Sequence, residues 1–203
     1  MYRGITLAFT LLTLMPACLA GNYQPMGGDI LFQTSPSSQS LAIQKATHSP
    51  YSHVGMVVFQ DGKPFVLEAV EPVRMTPLAD WVSWGVDGHF TAKRLRDAPT
   101  RLTDHALQTM WQVGKPFLGI HYDATFEWSD QRIYCSELVW KIYKRGLGLE
   151  IGKIQTLDSF DLSDPVVKAI LQKRYGDTIP GQEPVISPAA MFASELLVTV
   201  HQE

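Results

Sequence analysis

Tyr134-Cys135-Ser136-Glu137-Leu138-Val139-Trp140 is the stretch from which the fold can be read. After the cysteine, Leu138, Val139, Ile142 and Leu147 recur at helical spacing, and Arg145, Gly146 and Gly148 mark where the periodicity stops. Cys135 is therefore expected in the first turn of an amphipathic helix. A thiol there feels the positive end of the helix dipole and accepts hydrogen bonds from free backbone N–H groups, and both effects favour thiolate over thiol. The competing account is a buried cysteine packed like a small hydrophobe, the commoner fate of a lone cysteine.

The 203 residues are 45% hydrophobic and 18% charged, which suits one domain with its own core. A formal net charge of −3 argues against a broad nucleic-acid surface. Residues 1–20 differ from everything after them. Arg3 is their only charge, Ile5 to Met15 is apolar, and Pro16-Ala17-Cys18-Leu19-Ala20 supplies small residues before the polar Gly21-Asn22. The expectation is an export signal over 1–20 and a single catalytic domain over 21–203, destined for a bacterial periplasm or cell envelope. Cleavage after Ala20 removes Cys18. Cleavage before it leaves a lipidated Cys18 and a membrane-associated lipoprotein. Methionine at position 15, where a bacterial lipobox usually has leucine, favours simple secretion. On either route Cys135 is the one unmodified thiol. Exported proteins usually carry cysteines in pairs or not at all, so an unpaired one is a candidate reactive thiol.

Taken in order, Asp29 to Gln33 predicts a strand. A helix follows from about Gln39 to Thr47, capped by Ser37 or Ser38 and burying Leu41, Ile43 and Ala46. Ser52 to Gln60 and Pro64 to Val70 predict a β-hairpin around Asp61-Gly62. Glu71 to Thr76 reads as a loop and Pro77 to Trp84 as a short helix presenting Leu78, Trp81 and Val82. Gly88 to Leu95 reads as a strand, Thr103 to Val113 as a helix, and Phe117 to Ile133 as an aromatic loop. Beyond Gly148, a helix opens at Asp164-Pro165 and ends near Gly176, and Leu196 to Val200 reads as a last strand or packed tail. No chemistry is assigned after Gly148.

A nucleophilic thiolate needs an imidazole to hold and deliver a proton, and a third polar group to orient the imidazole. The hairpin offers both. His53 opens one strand and Glu68 lies near the end of the other, each about seven residues from the turn, so that the two can share a face, though sequence does not fix the exact register. Taken singly, His53 reads equally as a strand-edge residue and Glu68 as a solvated carboxylate. Glu68, however, lies in the apolar run Phe65-Val66-Leu67-Glu68-Ala69-Val70, where an inward charge needs a partner. The histidines at 48, 89, 105, 121 and 201 show no such pattern. No zinc-ligand spacing occurs, so neither a metal nor a cofactor is expected.

Ser49-x-Tyr51-Ser52-His53-Val54-Gly55, Leu67-Glu68-Ala69, Tyr122-Asp123 and Tyr134-Cys135-Ser136-Glu137-Leu138-Val139, in that order, resemble the YiiX-type hydrolases. These are circularly permuted papain-fold members of the NlpC superfamily, similar also to the lecithin–retinol acyltransferase group. The likeness runs from about Gly27 to Pro188. It implies an α+β, permuted papain-like fold in which an antiparallel sheet packs against the cysteine-bearing helix. It further implies Cys135 as nucleophile, His53 as general base and then acid, Glu68 as orienting residue, and Tyr122 as a group that polarises the substrate carbonyl. One departure is that Phe117-Leu118-Gly119-Ile120-His121 stands between Gly114-Lys115-Pro116 and Tyr122, which leaves Phe117 or His121 as alternatives for part of the Tyr122 role.

The resulting expectation is an exported cysteine hydrolase or acyltransferase acting on an amide or ester carbonyl through an acyl-enzyme. Its substrate would be a cell-wall peptide or a lipid or other acyl compound. Trp81, Trp84, Phe117, Phe126 and Trp128 suit an acyl chain, and equally an ordinary core. The alternative is a non-enzymatic envelope protein that binds lipid or peptide and retains the fold.

Overall fold

The structure is a computed structural model and describes residues 23–202. The export signal expected over residues 1–20, Cys18 included, lies outside the described residues. The chain begins with strand β1 (Ile30–Gln33), helix α1 (Ser38–Thr47) and strands β2 (His53–Gln60), β3 (Lys63–Glu68) and β4 (Arg74–Pro77). Helix α2 (Leu78–Ser83), strand β5 (Thr91–Leu95) and helices α3 (Ala98–Arg101), α4 (Asp104–Gly114) and α5 (Cys135–Leu147) follow. The C-terminal part holds β6 (Gln155–Thr156), α6 (Pro165–Tyr175), β7 (Pro184–Val185), α7 (Pro188–Phe192) and β8 (Leu197–Gln202). Six strands form one antiparallel sheet in the order β4-β3-β2-β1-β5-β8, and β6 pairs with β7 separately.

Side chains alternate across a strand, so each central strand feeds two cores. Ile30, Phe32, Val54, Met56 and Leu67 pack beneath Leu138, Val139 and Ile142 of α5. Leu31, Val57 and Val66 point the other way, onto Leu78, Trp81 and Val82 of α2. Because β1 is covered on both faces, its four residues are all buried. The hairpin turns at Asp61 and Gly62, with φ of 51° and 72°, the two left-handed residues that match the twist of the flanking strands. That turn sets the register Met56↔Leu67, which brings the start of β2 beside the end of β3.

Three differences from expectation fall before α5. Residues Arg74 to Pro77 form an edge strand rather than a loop. Pairing Glu68↔Arg74 through Phe65↔Pro77 gives their backbone partners that no local pattern announces. Residues Ala98 to Arg101 add a short helix. In α1 the buried side is Ser40 and Ala42, and Leu41 is 42% exposed. The helix docks through a hydroxyl pair, Ser40 Oγ to Ser52 Oγ at 2.6 Å, and through Ala42 against Val167 and Leu171 of α6, and this turns Leu41 outward.

Gly55 shows how tight the hairpin face is. A Cβ there would lie 2.4 Å from Val66 Cγ1 and 3.2 Å from the Leu67 carbonyl oxygen. Val66 is fully buried and has nowhere to turn. Gly55→Ala is expected to lower unfolding free energy by about 1–3 kcal/mol, read as a lower urea midpoint at unchanged m-value.

Candidate active site

Cys135 is the first residue of α5, with Tyr134 in extended conformation before it. Its N–H is among the initial donors that a helix cannot satisfy internally. Both neighbours are tied to one point of the C-terminal segment. The Tyr134 hydroxyl accepts from the Ile186 N–H at 3.1 Å, and the Ser136 hydroxyl donates to the Ile186 carbonyl at 2.7 Å. One turn on, Glu137 and Lys141 form a buried pair at 2.6 Å, and Lys141 reaches Asp130 at 2.8 Å, which holds the aromatic loop against the helix.

His53 opens β2, and its Nε2 lies 2.6 Å from Glu68 Oε2. Glu68 is only 1% exposed. It also accepts from Thr76 Oγ1 at 2.5 Å and Trp81 Nε1 at 3.0 Å, with Arg74 Nε at 3.7 Å. Burial alone would raise this carboxyl group. The hydrogen bond and charge of His53, with Thr76 and Arg74, overcome burial and hold it below the usual glutamate range. The same balance acts on His53. Burial opposes its protonation, but hydrogen bonds to Cys135 and Glu68, together with their charges, more than offset that and hold the imidazole well above its usual range. Glu68 occupies Nε2, so Nδ1 is the nitrogen left for the Cys135 sulfur. The ring lies 6.0 Å from the Trp81 ring, tilted by 30°.

Tyr122 reaches the same cleft. Burial, and next the charge of Cys135, push its phenol upward, so it stays protonated. Its oxygen accepts from Gln39 Nε2 at 2.7 Å, and Gln39 Oε1 accepts from Arg174 Nη2 at 2.6 Å. The residues between Pro116 and Tyr122 do not replace it. Phe117 is buried in the main core, and His121 is an exposed partner of Glu71 at 2.5 Å. Backbone bonds of Gly119 and Ile120 to Val73 anchor this stretch at the edge of the site.

Beside Cys135 a partly open cavity of about 80 Å³ lies between α1 and α6. Ala42, Ile43, Val167, Leu171, Phe126 and Ile186 give it a hydrocarbon wall, and Gln39 and Arg174 are its polar members nearest Tyr122. Of the five aromatic residues singled out from sequence, Phe126 alone lines it. Trp81 serves Glu68, Phe117 fills core, Trp84 lies on the surface under Arg74, and Trp128 packs on Trp140. Sequence reasoning missed Gln39 and Arg174. The first reads as a solvated residue at a helix start, and the second as a cation complementing the end of α6. It also left everything after Gly148 without chemistry, although α6 and residues 185–188 wall the cavity.

A cysteine opening a helix, an imidazole opening a sheet strand, and the chain order His53, Glu68, Cys135 define a papain-like arrangement with permuted connectivity. The chain belongs to the family described as permuted papain-like amidase enzymes, YaeF/YiiX, C92 family, whose model matches residues 24–201. It is 47% identical over 193 residues to the uncharacterized protein YiiX of Escherichia coli K12, covering 95% of this chain and 94% of that protein. The crystal structure of YiiX from Escherichia coli O157:H7 superposes with a TM-score of 0.85 at 49% identity, covering 89% of this chain and 99% of that one. The α+β permuted papain-like fold expected from sequence is thus the fold observed. That crystal structure is described as one of a metalloprotein. Among the described residues of this chain, no group of three or more His, Cys, Asp or Glu side chains is placed to hold a metal ion.

The Glu68 carboxylate favours the imidazolium form, so removing its charge lowers the proton affinity of His53. In a histidine-detected NMR titration, His53 is expected to lose its proton well above pH 6.5, the ordinary imidazole value, and in Glu68→Gln the midpoint moves down toward it. The same sign governs stability. The contribution is fully present below about 6.5 and is lost as pH rises through the folded-state titration.

Proposed function

We propose that this protein is a cysteine amidase that releases a fatty or other aliphatic acyl group from an amine. Family membership supports cysteine-dependent hydrolysis of an amide bond. The cavity beside Cys135 carries the choice of an acyl chain over a cell-wall peptide. Its wall is predominantly hydrocarbon, with Gln39 and Arg174 engaged with each other and with Tyr122, and a peptide needs polar partners along its length that such a wall does not supply.

In this reading the Cys135 thiolate attacks the amide carbonyl carbon. The developing oxyanion is met by the Cys135 N–H at the helix start and by the Tyr122 hydroxyl. Protonated His53 then gives its Nδ1 proton to the leaving nitrogen as the C–N bond breaks, leaving a thioester and a free amine. Neutral His53 next takes a proton from water, hydroxide adds to the thioester, and the carboxylic acid departs with Cys135 returned as thiolate. Glu68 remains ionised throughout and keeps Nδ1 turned to the sulfur. Export belongs to the same proposal and rests on the apolar run from Ile5 to Met15. Mass spectrometry of the mature N-terminus distinguishes removal of Cys18 from its lipidation.

The p-nitroanilides of acetic, hexanoic and decanoic acids, with Ala-Ala p-nitroanilide as the peptide arm, test the substrate class. Burying a methylene contributes about 0.8 kcal/mol, so kcat/KM is expected to rise roughly fourfold per methylene until the cavity is filled. Cys135→Ala abolishes turnover, and Val167→Trp moves the optimum to shorter chains. Faster cleavage of the peptidyl substrate, or no dependence on chain length, would refute an acyl pocket. Binding without turnover or a covalent adduct would favour a non-enzymatic role.

A further inference from the structure

Three residues far apart in sequence meet end to end beside Cys135: Arg174 from the last turn of α6, Gln39 from the first turn of α1, and Tyr122 from the aromatic loop. The chemistry of the first residue fixes the direction of the whole chain. A guanidinium donates and does not accept, so the Gln39 atom 2.6 Å from Arg174 Nη2 is the amide oxygen. The amide NH₂ therefore faces Tyr122 and donates to the phenol oxygen at 2.7 Å. The Tyr122 proton is not used in that bond, and among the described residues it has no other hydrogen-bond acceptor.

Arg174 is suited to this task. It has no carboxylate partner within ion-pair distance among the described residues, and it lies over the Phe126 ring at 5.0 Å on the cavity wall. Were the amide reversed, its oxygen would take the Tyr122 proton, and its NH₂ would face a cation.

We propose that Arg174 and Gln39 are positioning residues that polarise the relay in one direction and so keep the Tyr122 O–H free to donate to the oxyanion formed at the carbonyl under attack by Cys135. This rests on the amidase reading above. Gln39 acts through Tyr122, and Arg174 acts through Gln39. The relay also couples the acyl cavity to the chemistry, because α1 and α6, which form its walls, must be correctly seated for the phenol to be aimed.

The discriminating variant is Gln39→Glu. It keeps the size and the Arg174 contact, but puts an acceptor where Tyr122 now meets a donor, so the phenol proton is captured. With decanoyl p-nitroanilide, Gln39→Glu and Tyr122→Phe are each expected to lower kcat by roughly 10- to 100-fold with KM within about twofold, and the double variant to be no slower than either. Gln39→Met removes the donor without capturing the proton and should lose less than Gln39→Glu. From the other helix, Arg174→Met frees the amide to rotate, and its loss of kcat should likewise disappear in a Tyr122→Phe background.

A Gln39→Glu enzyme with wild-type kcat would overturn the proposal. So would multiplicative losses in the double variant, or a Gln39→Met loss equal to that of Gln39→Glu, which would mark a packing role. In each of those cases Cys135-dependent turnover persists and the amidase reading stands. A wild-type protein with neither turnover nor an acyl adduct on Cys135 would overturn both.

Discussion

The contact between Glu68 and His53 is the constraint around which the rest of the site is arranged. A carboxylate removed from water costs several kcal/mol unless its oxygens are matched. Here four residues from three different elements supply the match: His53 from β2, Thr76 and Arg74 from β4, and Trp81 from α2. The edge strand and the short helix on the far face of the sheet are thus parts of the site, although neither is near the sulfur by chain position. Glu68 stays ionised because those partners are present, and Cys135 together with ionised Glu68 holds His53 protonated. Removing any one of them leaves a buried charge under-compensated.

The cysteine depends on a second convergence. Helix α5 is the central support of the core, with Leu138, Val139 and Ile142 fully buried against the sheet. Its first turn is pinned from outside by Ile186, which bonds the residues on both sides of Cys135. The same C-terminal segment then continues as cavity wall. Positioning the nucleophile and shaping the substrate pocket are therefore done by the same backbone. This explains why residues that show no motif of their own are needed near the chemistry.

Much of this was legible along the chain because it is local. Helical spacing after Cys135, the Asp61-Gly62 turn, the Asp164-Pro165 cap and alternation in the strands each depend on residues within a few positions of one another. The hairpin carried the reading furthest. Once a two-residue turn is assigned, counting outward brings His53 and Glu68 to neighbouring positions on one face of the hairpin, and the apolar run around Glu68 signals that its charge is turned inward. The edge strand at 74–77 and the inward face of α1 were not legible in the same way. The first owes its existence to β3, and the second owes its orientation to the Ser40–Ser52 hydroxyl pair and to α6.

The amino-acid sequence by itself determined most of the element types, the position of the hairpin turn, and which thiol, imidazole and carboxylate are the candidates, because propensity, turn chemistry and side-chain period act over short separations. Only the tertiary structure decided which imidazole nitrogen remains for sulfur, which aromatic residues line the cavity, and that Gln39, Tyr122 and Arg174 form one hydrogen-bonded line. Those outcomes depend on contacts between segments more than eighty residues apart, such as Gln39 with Tyr122, and a hydrogen bond has direction and reach that residue type alone does not specify.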